Sequence, residues 1–310
     1  MNTPKISIIC NTYNQEKYIA QALDSFLMQN IDVPFEVLVH DDASTDGTAD
    51  IIREYEAKYP DIIKPIYQTE NQYSKKVPIT AIIQLPRAKG KYVAFCEGDD
   101  YWTDPDKLRI QYEYMEANED CSACCHAYSM VDKEGNLIEE RYDFSEDGFV
   151  PFKNLLGNQL KLPHFATFVI RKSCFLDFPI SWFENRCNDM TIRIHAAIKG
   201  NVFYFGRLMS CYRRFADGSW TVRIGSDKSS IINNMMRTLE YFDGLNKYTE
   251  YKYNDVISDG IDEYNFKIAL LENNFKVARK TKSFKKASFK QRCYITIGCV
   301  FPKLIAKLRK

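Results

Sequence analysis

The sequence lacks both glycine-rich motifs that commonly bind phosphate in α/β proteins. Neither G-x-G-x-x-G nor G-x-x-x-x-G-K-[ST] occurs in its 310 residues. Their absence excludes a dinucleotide fingerprint and a P-loop, in which backbone amides surround the phosphates. If this chain binds a nucleotide, we expect a metal ion to hold the phosphates instead.

The sequence also lacks an apolar run long enough to cross a bilayer. The uncharged segment 293–302 has only ten residues, whereas a transmembrane helix needs about 20. The ten cysteines lie mostly inside apolar runs and form no regular framework. No signal peptide is recognisable before the first strand. We therefore expect reduced thiols and a cytoplasmic protein.

An even charge distribution is lacking as well. The net charge is +1, yet residues 276–310 contain twelve lysines and arginines and no acid, which leaves −11 for residues 1–275. Apolar residues are interspersed with these cations. The pattern predicts a basic amphipathic tail that lies on the inner face of an anionic membrane. The alternative is a basic helix docked on the acidic body of the protein.

Apolar strands alternate with amphipathic helices through the first hundred residues. The pattern predicts a strand at 6–10 and a helix with an apolar stripe from Ile19 to Leu27. It then predicts strands at 35–40, 62–67 and 91–96, with helices at 46–58 and 77–88 between them. Such alternation is typical of a largely parallel sheet that helices cover on both faces.

Three carboxylates follow the last of these strands within four residues, namely Glu97, Asp99 and Asp100. Ligands bind at the carboxyl ends of strands in open α/β sheets. Carboxylates suit Mg²⁺ or Mn²⁺, which usually take one or two protein carboxylates together with substrate phosphates. The cluster therefore predicts a metal-diphosphate site, unless it is a solvated acidic turn before the next helix.

A second acidic turn follows the strand at 35–40. Ser44 or Thr45 is expected to cap the next helix, with Asp46 in its first turn. Capping leaves Asp42 available to hydrogen-bond the edge of a bound base. Two neighbouring strand ends therefore carry carboxylates.

These motifs resemble the inverting family 2 nucleotide-sugar glycosyltransferases of the GT-A fold, of the kind that build bacterial surface polysaccharides. The resemblance extends through Ser7–Asn14, Asp41–Thr48, Lys89–Tyr92 and Glu97–Leu108, in the order and spacing of that family. It covers most of residues 5–110. The resemblance implies a Rossmann-like, three-layer α/β/α domain with a mixed, mostly parallel sheet.

The resemblance and the residue chemistry together predict the binding residues. The nucleotide-sugar site is expected to contain Thr12, Tyr13, Asn14, Asp42, Ser44, Lys75, Asp99 and Arg213. Among them, the resemblance implies that Thr12 and Tyr13 line the nucleotide pocket and that Asp42 contacts the base. Asp100 and Asp99 are expected to hold Mn²⁺ or Mg²⁺. Lys75 and Arg213 are included because ammonium and guanidinium groups donate hydrogen bonds to phosphate oxygens.

The resemblance also places a catalytic base at a carboxylate that opens a helix in the second half of the domain. Asp189 matches this pattern and would accept a proton from the attacking hydroxyl in a single, inverting displacement. The alternative is that Asp189 only caps its helix. Glu184 and Asp177 are the nearby rival candidates.

The sequence departs from the family pattern in two places. Glu97 stands where many members have Asp, and Phe215 stands where relatives often have His. His164 lies just before a strand that lines the acceptor side in relatives. We expect His164 to contact substrate or to play a structural part.

We expect a GT-A domain over residues 1–225, with a nucleotide-sugar half at 1–100 and an acceptor half at 101–225. Residues 226–310 would form a helical C-terminal region. The expected function is transfer of a monosaccharide from a nucleoside-diphosphate donor, UDP above others, to a glycan or lipid-linked acceptor. A metal-dependent nucleotidyltransferase and a non-catalytic glycan-binding protein are the alternatives. Nucleic acid is not an expected partner, because the acidic strand ends would repel it.

Overall fold

The computed structural model describes residues 3–156, 163–178, 189–216 and 227–301. The chain divides into two compact units. The larger comprises Met1–Leu155 and Gln159–Arg223, and the smaller comprises Leu156–Asn158 and Ile224–Lys310.

The larger unit begins with alternating strands and helices, as the apolar pattern predicts. In chain order they are β1 (Ile6–Thr12), α1 (Ile19–Leu27), β2 (Phe35–Asp41), α2 (Thr48–Lys58), β3 (Ile63–Tyr67), a π-helical turn (Thr80–Gln84), α3 (Leu85–Arg87) and β4 (Tyr92–Phe95).

The rest of the larger unit contains more strand than helix. Its elements are β5 (Tyr101–Trp102), α4 (Lys107–Ala117), β6 (Cys121–Val131), β7 (Leu137–Arg141), β8 (Gly148–Phe149), α5 (Phe152–Leu156), β9 (Val169–Arg171), α6 (Asp189–Lys199) and β10 (Asn201–Arg213), with 3₁₀ turns at Phe165–Thr167 and Lys172–Phe175.

The ten strands found among the described residues belong to one mixed sheet, whose main path runs β3-β2-β1-β4-β9-β6-β10-β5. Strands β1 to β4 pair in parallel along this path, and β6 pairs in parallel with β10. Strand β9 lies antiparallel to both β4 and β6, so those two strands point the same way. The carboxyl ends of β1, β2, β4, β6 and β10 therefore meet at one edge of the sheet.

Helix α1 shows how the apolar pattern places the core. Ile19, Ala22, Leu23 and Phe26 recur at helical spacing and are fully buried. The ring of Phe26 meets that of Trp102 edge-on, with centroids 4.8 Å apart. This contact joins α1 to β5 directly after the acidic segment.

The helix expected at 77–88 differs most from its prediction. It begins at Thr80 as a π-helical turn and continues as the three-residue α3. Pro86 has no N–H to donate to the carbonyl four residues earlier, so a regular α-helix cannot run through this segment. The buried Gln84 amide donates to the Leu38 carbonyl at 2.8 Å and holds the turn against β2.

The smaller unit is helical over its described residues. Its helices are α7 (Lys228–Tyr248), α8 (Asn254–Leu271), α9 (Phe275–Lys280), α10 (Lys282–Lys286) and α11 (Phe289–Val300). Phe266, Phe275 and Ile295 form its small core. Gly298 lets α11 approach α9 closely, because a Cβ there would come within 2.5 Å of the Phe275 ring. Among the described helices, none combines the length and apolar character needed to span a bilayer.

Candidate active site

The acidic segment after β4 lies against the end of β1. The Gly98 amide donates to the Asn11 carbonyl at 3.0 Å. A Cβ at Gly98 would come within 2.5 Å of Gln15 Oε1 and 2.8 Å of Thr12 Oγ1. Because residue 98 is a glycine, the segment that contains Glu97 and Asp99 can pack directly against the end of β1 and the loop that follows it.

Asp100 is buried, with 3% of its surface exposed. Its Oδ1 accepts the Arg213 amide at 2.8 Å, and its Oδ2 lies 3.6 Å from His164 Nδ1. Burial raises the pKa of Asp100 well above its usual range, and the neighbouring Asp99 raises it further. The pKa of Asp99 is also raised by burial. The positive charge near this pair of carboxylates therefore does not offset the cost of burying them in the ionised form.

Glu97 and Asp189 extend this cluster. Burial raises the pKa of Glu97 to about 8, and the negative charges of Asp189 and then Asp99 add to the shift. Asn11 Nδ2 donates to Glu97 Oε1 at 3.4 Å. The protonated form of Glu97 is therefore favoured far more than that of a glutamate in water.

Asp189 begins helix α6, as predicted. The residue is exposed on its open side, yet neighbouring protein atoms exclude enough water to raise the pKa of its carboxyl, while Arg193 acts in the opposite direction. Arg193 donates to the carbonyl of Asp189 at 3.1 Å and to that of Pro163 at 2.8 Å. Asp189 thus combines access to solvent with a raised pKa.

The loops after β1 and β2 are joined by side-chain to backbone hydrogen bonds. The Asn14 amide donates to Ser44 Oγ at 2.9 Å, and the Thr45 amide donates to Asn14 Oδ1 at 2.8 Å. Asn14 adopts a left-handed conformation, with φ of 53°, which asparagine tolerates better than most residues. Asn14 and Ser44, two predicted binding residues, therefore also fix the shape of these loops.

The predicted helix cap after β2 differs in detail. Helix α2 begins at Thr48, two residues later than expected, and Asp46 Oδ1 accepts both the Thr48 amide and its hydroxyl. Ser44 bonds to the β1 loop instead. These interactions lower the pKa of Asp46, although its partial burial opposes them.

Asp42 is buried at the carboxyl end of β2, where it was expected. Its Oδ1 accepts the Gln72 amide at 2.7 Å, and its Oδ2 accepts the Tyr73 amide at 3.0 Å. The carboxylate therefore holds the loop that follows β3. A contact with a base would have to use the lone pairs left over.

Two predicted phosphate ligands already have protein partners. Arg213 is buried and donates to the carbonyls of Asp99, Asp132 and Lys133 and to Gln21 Oε1. These acceptors take four of its five N–H groups. The exposed Lys75 pairs with Glu70. Their roles in phosphate binding stay predictions.

The remaining predicted residues lie beside the cluster or outside the described chain. Thr12 is buried and donates to Gln15 Oε1 at 2.8 Å. Tyr13 is partly buried in the same loop. Asp177 pairs with Lys199. Glu184 lies outside the described residues.

Sequence reasoning missed the polar residues that support this cluster. Gln15 contacts Asp99, Asn11 holds Glu97, Gln21 holds Arg213, and Arg193 faces Asp189. Asn11 lies within the first motif quoted above and could have been included. Arg193 lies one helical turn after Asp189 and could also have been included, whereas the partner of Gln21 is too distant along the chain for a pattern to reveal it.

The residues fit a divalent cation that takes most of its ligands from elsewhere. Among the described residues, no group of three or more histidines, cysteines and acids is arranged to hold a metal alone. Asp99 and Asp100 offer two hard oxygen ligands with raised pKa values. Mg²⁺ and Mn²⁺ typically use one or two carboxylates together with phosphate oxygens. The site thus suits a metal that arrives with a diphosphate.

Comparison with protein families decides the classification, since the model of "Glycosyl transferase family 2" matches residues 7–178. The chain belongs to this family. It is 34% identical over 229 residues to an uncharacterised protein of Mycobacterium tuberculosis, covering 69% of this chain and 60% of that one. The poly(ribitol-phosphate) beta-glucosyltransferase of Bacillus spizizenii is 34% identical over 116 residues, or 37% of this chain and 18% of that enzyme.

Solved structures confirm the predicted α/β fold of the GT-A type. TarS of S. aureus, residues 1–349 in complex with UDP-GlcNAc, aligns with a TM-score of 0.62 at 20% identity, covering 93% of this chain and 77% of that one. The mannosyltransferase PcManGT from Pyrobaculum calidifontis, in complex with GDP-Man and Mn²⁺, aligns with a TM-score of 0.56 at 16% identity, covering 97% and 81%.

Proposed function

We propose that this family 2 member transfers a monosaccharide from a nucleoside-diphosphate sugar to a glycan or lipid-linked acceptor. A UDP-sugar is the proposed donor. One observation carries the proposal. Four carboxyl groups, on Glu97, Asp99, Asp100 and Asp189, lie at the carboxyl edge of the sheet, and all have raised pKa values. Such a cluster favours binding of a cation and a cationic transition state.

Asp99 and Asp100 would hold the divalent cation together with the diphosphate. The bound metal would neutralise the charge that develops on the leaving diphosphate. The buried contact between Asp100 and the Arg213 amide fixes one carboxylate oxygen and leaves the other directed toward His164. The TarS and PcManGT complexes, which contain UDP-GlcNAc and GDP-Man with Mn²⁺, support a nucleotide-sugar donor.

Asp189 would act as the base. Its raised pKa, in a residue that is exposed to solvent, suits a group that must receive a proton from an acceptor hydroxyl. In an inverting displacement the hydroxyl oxygen bonds to the anomeric carbon as the bond to the diphosphate breaks. The proton passes to Asp189.

Titration of UDP with and without Mn²⁺ tests the donor site. Calorimetry should show that Mn²⁺ tightens UDP binding and that Asp100→Ala removes most of this gain. Glu113→Ala is a matched control, because Glu113 is an acid whose side chain is exposed on α4 and paired with Arg109. Equal UDP affinity in EDTA and in Mn²⁺ would contradict the metal-diphosphate assignment.

Substitution of the base tests the chemistry. Asp189→Asn preserves size, so it should leave UDP binding nearly intact and lower turnover by roughly 10²- to 10⁴-fold. Asp243→Asn serves as control, because Asp243 is an exposed aspartate on α7 that pairs with Lys247. If Asp189→Asn retains near-wild-type turnover, Asp189 only caps α6 and Glu184 becomes the candidate.

The relatives and the charge distribution support a proposal for the acceptor and the location. A named relative glucosylates poly(ribitol phosphate), which supports a cell-surface polymer as the product class. We infer that residues 276–310 bring the enzyme to the inner face of an anionic membrane. Lipid-linked acceptors would be found there.

A further inference from the structure

A cavity of about 380 Å³ opens between α9, α10 and α11 in the C-terminal unit. Two guanidinium groups, from Arg279 and Arg292, line it together with apolar side chains that include Phe284, Phe289 and Ile297. The Arg292 guanidinium lies 5.8 Å from the centroid of the Phe284 ring. The cavity therefore offers positive charge on an apolar wall.

The charge of this region is unbalanced. Lys276–Phe301 contains eight lysines and arginines and no acid. Lys282 and Lys286 lie 3.6 and 3.5 Å from the Asp259 carboxylate. Over the part of the chain that the structure covers, Arg279 and Arg292 form no ion pair. Their guanidinium groups are thus available to an anion from outside.

An apolar face borders the cavity. Phe289 is 81% exposed and Val300 62% exposed, while Phe301 and Ile297 are also exposed. Positions 289, 297 and 300 fall on one side of helix α11. Ile295, on the opposite side, is fully buried. Helix α11 is therefore packed on one side and presents apolar side chains to solvent on the other.

We propose that this cavity binds the phosphate of an anionic phospholipid, with the exposed face of α11 inserted among the acyl chains. Guanidinium groups donate paired hydrogen bonds to phosphate oxygens, and an amphipathic helix buries its apolar face at the level of the headgroups. Phe289 could stack on a base, but the exposed aliphatic side chains of Ile297 and Val300 on the same face favour lipid over RNA, because they cannot. The inference deepens the membrane contact of the proposed function and rests on it in that respect.

Co-sedimentation of the full chain with vesicles tests the site without donor or acceptor. Phosphatidylcholine vesicles with and without 30% phosphatidylglycerol, at about 0.15 M NaCl, give the dependence on anionic lipid. The test variant is Arg279→Gln with Arg292→Gln. The control, Lys280→Gln with Lys285→Gln, removes the same charge from exposed positions outside the cavity.

The wild type should sediment with the anionic vesicles and not with the neutral ones. The arginine pair should weaken binding at least tenfold more than the lysine pair, and the difference should persist at 0.5 M NaCl, where diffuse attraction is screened. Equal losses of binding in the two variants would contradict a phosphate site in the cavity. Any basic residue near an anionic membrane surface contributes about 1 kcal/mol, so equal losses would reflect this general attraction alone.

Two further measurements separate the alternatives. Phe289→Glu should abolish sedimentation and leave thermal unfolding unchanged, because this side chain is almost fully exposed. Normal sedimentation of that variant would contradict insertion. If a fluorescent single-stranded RNA binds the wild type more tightly than the vesicles do, the lipid assignment is wrong. Donor binding in calorimetry is independent of these results, so failure here leaves the proposed transferase function standing.

Discussion

Lys107 is a fully buried lysine on the helix that follows the acidic segment, and its titration should contribute strongly to the pH dependence of stability. Its ammonium lies 4.2 Å from the centroid of the Trp102 ring and donates to Gln111 Oε1 at 2.8 Å. Burial lowers the pKa of Lys107 from 10.5 to about 7. The native state therefore loses this proton far more easily than the unfolded chain does.

Proton linkage gives the direction and the size of the effect of Lys107 on the free energy of unfolding. Between pH 7 and 10.5 the unfolded chain keeps a proton on Lys107 that the native protein has lost, so the contribution of Lys107 to stability rises with pH across this window. Each pH unit adds about 1.4 kcal/mol, and the whole shift corresponds to roughly 5 kcal/mol. Below pH 7 the full cost of burying the ammonium remains.

Lys107→Met keeps the apolar stem and removes the titrating group. The variant loses the hydrogen bond to Gln111, which costs about 1–3 kcal/mol independently of pH. Its stability relative to wild type should therefore fall by a further 2–3 kcal/mol between pH 7.5 and 9.5. Tyrosine and cysteine titrations occur in both proteins and cancel in this difference.

Urea denaturation with reductant, followed by tryptophan fluorescence, measures the effect. All three tryptophans precede residue 226, so the signal reports on the larger unit. Lys107→Arg is a useful control, because an arginine stays charged and should be severely destabilising at every pH. If the free energies of unfolding of the wild type and Lys107→Met differ by a constant amount from pH 7.5 to 9.5, burial does not lower the pKa of Lys107.

Three further outcomes are expected around the acidic cluster. Gly98→Ala should destabilise the protein by about 1–3 kcal/mol and weaken UDP binding, because the new Cβ would lie 2.5 Å from Gln15 Oε1; unchanged affinity in calorimetry would argue against the close packing. Asp42→Asn turns an amide donor toward a backbone N–H and should speed proteolytic cleavage in the loop after β3, which a time course on gels would show. Affinity for Mn²⁺ with UDP should rise from pH 6 to 8, because the metal binds the ionised form of Asp99, whose pKa burial raises to about 6, and the pKa of the neighbouring Asp100 is raised as well; a flat calorimetric profile would refute this.

Apolar periodicity predicted the strands and helices of the first hundred residues well. The stripe from Ile19 to Phe26 repeats a helical spacing, and β1, β2 and β4 are short, largely apolar runs of the kind found in buried parallel strands. The π-helical turn at Thr80–Gln84 was not predictable in the same way. Its geometry depends on Gln84 reaching the carbonyl of Leu38, far away in the sequence.

The sheet order could not be read from the chain. Strand β9 has only three residues, Val169–Arg171, and inserts antiparallel between β4 and β6. An apolar run of that length specifies no pairing partner. Sequence could indicate an α/β sheet but could not show how its second half joins the first.

In the candidate site, too, local sequence patterns predicted some features, whereas contacts between distant residues could not be predicted. The positions of Asp99, Asp100 and Asp189 at element ends followed from local patterns. The surroundings of Arg213 did not, because its partners Gln21, Asp99 and Asp132 lie 192, 114 and 81 residues away. Local chemistry suggested a phosphate ligand, whereas the structure shows an arginine already bound to protein carbonyls.

The long separation between Asp100 and Arg213 has a consequence for synthesis on the ribosome. The Arg213 amide, on the last strand of the sheet, satisfies Asp100 across 113 residues of chain. At about 5–20 residues per second, the acidic segment waits roughly 6–23 s before that partner is made. During this interval the nascent chain carries an acidic strand end and an unpaired β6 edge. A chaperone or an early-bound cation that shields them would raise the yield of folded enzyme.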